Sequence, residues 1–270
     1  MKRLLSLVLC TSPLFGLEFN PWFNPPLEFH LIPAFFYSQG YKAYSPAGNF
    51  KHFGFEYWVE CNLEVSPWPY WDIQLQVEAA DTNFTPFSFV GGTADIRYNW
   101  MDDTAHDPFT LTTGVMFTGI RDIVIQDDSF YFNGHFNTEV GVSVGKTCYQ
   151  ADCDLWTQRA WLYAGFGIAE IGAPWFDGFL EWNLRLSEKV VWEWQMNFLF
   201  NFASNNFLAN VPFRGYADLG YKVINLLTDF EFELPTIGVL RLYTLYNVYG
   251  SNTTAHYWLT AIQLDIPFSF

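Results

Sequence analysis

The residues able to do acid–base or metal chemistry are few and scattered. The five histidines are His30, His52, His106, His135 and His256. A nucleophilic hydroxyl needs its base on the same face of the element. On a strand that puts Ser two residues after His. None of the five has Ser at that offset, and no Asp-x-His element stands ready to complete an acidic pair. The histidines also lack the close spacing of metal ligands. His135 and Glu139 would share one face of a strand, and the pair reads as solvated. Asp102-Asp103 and Asp127-Asp128 could attract divalent cations, but read better as solvated loop charges. Function has to be argued from a site. The expectation is therefore no catalytic residue, no cofactor and no metal.

Cys148 and Cys153 lie five residues apart, between two strand patterns. In an exported chain they would form a local disulfide staple, with free thiols or cross-links to neighbouring proteins as alternatives. Cys61 falls among apolar alternate positions and reads as a filler. The remaining polar chemistry is charge at alternate positions. Glu56, Glu60, Asp72, Glu78, Glu139, Glu181, Glu193 and Asp218 carry acid, and Arg97, Arg159, Arg185, Arg214 and Arg241 carry base. Such a set lines a surface rather than a reaction centre.

The elements that position these charges read as strands. Asp72, Gln74, Gln76 and Glu78 alternate with Ile73, Leu75, Val77 and Ala79. Glu193, Gln195 and Asn197 alternate with Trp192, Trp194, Met196 and Phe198. A period of two puts each set on its own sheet face. The same pattern recurs at 53–65, 94–100, 135–144, 180–186, 213–223 and 240–248. It is weaker at 27–38, 109–120 and 156–169, and a last segment ends the chain. The total is about twelve strands, with fourteen as the alternative. Residues 226–237 read as a long turn or a strand extension, and the loops look short.

Composition narrows the setting. The chain has 270 residues, 50% apolar, 21% aromatic and only 15% charged, with a net charge of −15. That balance is wrong for a nucleic-acid face. The aromatic excess suits girdles at two membrane–water interfaces. Lys2, Arg3 and the apolar run Leu4–Leu9 read as a signal peptide over 1–16, cleaved after Gly16, with a buried strand as the alternative. Residues 17–26, rich in Pro and aromatics, are too Pro-rich for a central strand. They read as a leader or a small plug ahead of a barrel over 27–270. No run of about 20 apolar residues offers a spanning helix. An exported apolar chain without one can span only as a closed barrel.

Backwards from Phe270, alternate positions are Phe268, Ile266, Leu264, Ile262, Thr260 and Trp258, with Pro267 as a departure. This ending resembles the terminal strand of Gram-negative outer-membrane β-barrels. That resemblance implies an all-β, single antiparallel transmembrane barrel in the outer-membrane lipid. It also implies delivery to the barrel-insertion machinery through Phe270. The stretches Glu18-Phe19-Asn20-Pro21-Trp22 and Ser66-Pro67-Trp68-Pro69 are also similar to uncharacterised barrels of chlamydia-like bacteria, which implies no function. Turned inward, the charged set would line a narrow, porin-like channel that transports small solutes with a mild cation preference. A closed structural or adhesive envelope protein is the alternative, and an outer-membrane hydrolase comes after it.

Overall fold

The structure, a computed structural model, describes residues 19–40, 42–45, 48–50, 54–82, 85–125, 130–149, 156–205, 216–255 and 257–269. Its strands in chain order are β1 (Phe29–Gly40), β2 (Lys42–Ser45), β3 (Gly48–Phe50), β4 (Gly54–Trp68), β5 (Trp71–Asp81), β6 (Ser88–Met101) and β7 (Thr110–Ile120). After the single-turn helix α1 (Asp122–Ile125) come β8 (Phe136–Tyr149), β9 (Trp156–Ala169), β10 (Trp175–Ser187), β11 (Val190–Asn201) and β12 (Lys222–Leu234). The chain closes with β13 (Gly238–Ser251), β14 (Thr253–Ala255) and β15 (Trp258–Phe268).

Twelve of these strands form one closed antiparallel barrel, and β14, β2 and β3 form a small separate sheet. The seam is closed by β1 against β15, in a register that sets Phe29 opposite Phe268. Closure removes the edge groups that hydrocarbon could not satisfy. No helix among the described residues is long and apolar enough to cross a membrane.

Alternation decides which side chains go where. Along β5, Asp72, Gln74 and Gln76 are buried inside the barrel while Leu75 and Val77 are exposed outside. The outer surface carries Phe117, Val140, Phe166, Leu180 and Ile262. Exposed outward aromatics gather at both ends. Trp68, Tyr70, Trp71 and Trp100 lie at the end that holds the termini, and Phe89, Phe136, Phe202 and Trp258 lie at the other.

Four expectations are corrected. The strand placed at 213–223 lies at 222–234, so residues 226–234 are strand and the turn is 235–237. Charge was expected to turn inward on this strand and apolar residues outward, but Tyr221 and Val223 are fully buried inside and Lys222 is exposed. Loops at the end away from the termini are not all short, since they span 41–53, 121–135 and 202–221. The Asp102-Asp103 turn is not simply solvated, because Asp103 is 6% exposed and hydrogen-bonded. Residues 1–18, Cys153, Arg214, Asp127, Asp128 and Phe270 lie outside the described residues.

Candidate functional site in the barrel lumen

Most of the expected lining residues stand on the inner parity of their strands. Glu60, Asp72, Arg97, Glu139 and Glu193 are buried there, and Glu56, Glu78, Arg159, Glu181, Arg185 and Arg241 occupy equivalent positions. Asp218 does not join them. It is exposed in the turn before β12, outside any strand. His135 and Glu139 do not pair either. His135 sits in the loop before β8, between Glu170 at 3.0 Å and Asp122 at 2.9 Å.

The lumen is organised by what fills it. At the end holding the termini, Phe19–Phe23 runs inside the wall. A segment with two carbonyls preceding proline or following it must find donors elsewhere, and the wall provides them. Arg97 Nη1 donates to the Asn20 carbonyl at 2.8 Å, and Thr112 Oγ1 donates to that of Pro21 at 2.9 Å. The Phe19 carbonyl accepts from Ser143 Oγ, and Trp22 Nε1 donates to Asp103 Oδ1 at 2.8 Å. Arg97 lies over the Phe23 ring at 5.2 Å, and Arg159 over Trp22 at 4.8 Å.

Room for this segment comes from a row across the wall. Arg97, Gly114, Gly141, Gly165 and Asp177 stand opposite one another on successive strands. The three glycines leave a flat patch against which rings lie. Phe19 and Tyr163 stack there at 4.3 Å. A Cβ on Gly141 would sit 2.3 Å from the Tyr163 ring.

Arg97 is the centre of the charged network here. It is completely buried, with Asp72, Asp95 and Glu64 around it. A buried guanidinium needs its fork of donors occupied, and the carboxylates together with the Asn20 carbonyl do that. Arg241 pairs with Glu231, and Arg185 with Glu233 at 3.0 Å. All four arginines named therefore lie toward the termini end of their strands.

The opposite mouth is filled differently. The described parts of the loop between β7 and β8 turn inward, and their Val124, Ile125, Phe130 and Phe132 join Phe36, Trp58 and Leu245 in a buried apolar cluster. Tyr131 from the same loop packs with Tyr216 and Tyr221 in a second one. Sequence reasoning missed this inner apolar belt. It also missed Tyr163, Trp161 and Asp177, because runs such as Trp161-Leu162-Tyr163-Ala164 are apolar on both faces.

Between the two fillings, Glu139 accepts hydrogen bonds from Tyr163 and, at 2.8 Å, from Trp175 Nε1. Glu60 accepts from Trp58 Nε1 at 3.1 Å. Cys148 is a free exposed thiol at the end of β8, so the expected staple is not formed among the described residues. Cys61 is also free, on the outer parity of β4.

No protein-family model matches this sequence, and no curated protein sequence does. The structure is similar to that of an outer-membrane channel from Pseudomonas putida F1. The TM-score is 0.65 at 7% identity, covering 93% of this chain and 99% of that one. It is also similar to the NanC porin, with a TM-score of 0.52 at 8% identity over 86% of this chain and 98% of that chain. At such identities the likeness is one of fold, and the fold is that of outer-membrane barrels.

Proposed function

We propose that the chain is an outer-membrane channel for small solutes, narrow and mildly cation-preferring. One observation carries the reading: a closed barrel, apolar outside, keeps a polar inner face on which carboxylates outnumber arginines. A lining with excess negative charge lowers the energy of cations relative to anions. Residues 19–23 and the 130–133 loop set the narrowness, the first as a plug at the periplasmic mouth. The longer loops would then face outward, as is usual for such barrels. The two aromatic bands support a girdle at each interface. A leader over 1–16 would deliver the chain, and Phe270 would present it to the insertion machinery.

Single-channel recording tests this. The full chain should pass a small K⁺ current with a reversal potential favouring cations. A chain lacking Phe19–Phe23 should pass several-fold more, and Glu193→Lys should move selectivity toward anions while leaving insertion intact. A second reading, a closed structural barrel, is favoured by the filling at both mouths. It becomes the better one if neither the full chain nor the shortened chain conducts.

A further inference from the structure

Between the two fillings lies a chamber of about 80 Å³ lined by Glu60, Glu78, Glu139 and Asp177, with Asn137 and Trp175 beside them. Its lining holds four carboxylates and no Lys, Arg or His among the described residues. Carboxylates withdrawn from bulk water stay ionised only with opposite charge or with donors. Arg97, Arg185 and Arg241 cannot provide that charge, being engaged at the termini end by Asp72, Glu64, Glu231 and Glu233, and Arg159 lies at the same end over the Trp22 ring. Donors from the wall are incomplete too. Glu139 and Glu60 have the partners already described, but Glu78 Oε1 has none. Asn137 is only 8% exposed. It donates Nδ2 to the Gly134 carbonyl at 2.8 Å and leaves Oδ1 without a partner.

We propose that this chamber is a binding station for a small organic cation, an ammonium or guanidinium group on a short apolar stem. The unmatched groups are all acceptors, so the occupant must donate. An ammonium has three donors and a guanidinium five. A bare metal ion fits less well, because no three acidic, His or Cys side chains among the described residues converge to hold one. The walls add Phe132, Trp175 and Tyr221, whose rings suit both an alkyl stem and a nearby positive charge. A volume of this order holds several waters, or an amine of a few carbons in their place. The inference rests on the channel reading only for access from outside.

The test uses the full chain in a planar bilayer with n-butylammonium, n-butanol and butyrate as probes in KCl. Butylammonium should interrupt the K⁺ current saturably, and the neutral and anionic analogues should not. Glu78→Gln and Asp177→Asn should each weaken the block about tenfold, the loss expected for one charge-assisted hydrogen bond. Conductance with equal effects of butylammonium and butanol, or with block unchanged in both variants, overturns the station and leaves the channel standing. Absence of current in the parent overturns the channel instead. The station is then read by calorimetric titration of butylammonium into the detergent-solubilised chain. Saturable heat that is lost in Glu78→Gln supports it, and no heat overturns it.

Discussion

Asp103 stands in a turn and would ordinarily be a solvated charge. Here Thr110 Oγ1 donates to it at 2.6 Å, Trp22 Nε1 at 2.8 Å and the Thr147 backbone N–H at 2.6 Å, with Lys146 at 3.5 Å. Burial alone would push its acidity constant up. The hydrogen bonds from Thr110, Trp22 and Thr147, with the charge of Lys146, outweigh burial and hold it below the usual aspartate value of 3.8. A carboxylate depressed in the folded state contributes stability that is complete above its ordinary value and is lost as pH falls through the depressed one. The grip on Trp22 should therefore persist at mildly acidic pH and weaken below 3.8. Amide exchange at Trp22 and Phe23, corrected for intrinsic rates, should show that loss of protection in the parent. In Asp103→Ala the protection should already be reduced at neutral pH. Full protection in that variant would mean that the segment is held from elsewhere.

At the scale of the strand, the alternation was legible wherever polar residues mark one face. Asp72 to Ala79 and Trp192 to Phe198 lie as their period requires. It failed at β12 and the residue before it, where Tyr221, Val223 and Leu227 point inward onto an apolar filling. The rule that apolar means outward holds only where the lumen is wet. Where a loop packs inside, both faces turn apolar and the register loses its marker. The outward assignment of β11 gives a sharp expectation. Phe198 lies on the outer parity, opposite Gly178 and Ile224. Phe198→Arg should reduce the free energy of folding into lipid by about 2–4 kcal/mol if the position lies near the midplane. Denaturant titration in vesicles measures this. A cost near zero would place that face away from hydrocarbon.

For the molecule as a whole, closure and strand number could be read from the sequence, but the contents of the lumen largely could not. Residues 17–26 were marked by Pro21, Pro25 and Pro26, which forbid a central strand, and Phe19–Phe23 of that segment lie inside while Pro25 and Pro26 are exposed. The other filling carried no such mark. Asp127-Asp128 suggested a loop in water, and a single sequence does not show that Val124, Ile125, Phe130 and Phe132 on either side pack into the mouth. That packing joins residues far apart in the chain, such as Phe36, Trp58 and Leu245, and only the closed wall brings them together. The chamber has the same origin. Glu60, Glu78, Glu139 and Asp177 come from four strands, and each alone looks like any other inward acid.

The sorting of charge along the axis makes the barrel electrically polar. Arg97, Arg159, Arg185 and Arg241 stand toward one mouth, and the chamber carboxylates stand beyond them toward the other. Arg97, Arg185 and Arg241 are paired with carboxylates there, so a nearly neutral half in series with an anionic half makes a charge junction. Ions of both signs accumulate in it under one polarity and are depleted under the reverse. The current–voltage curve in symmetrical KCl should then bend, with the larger current when the field drives cations in from the carboxylate end. A straight line through the origin would mean that the two halves are screened from the conduction path.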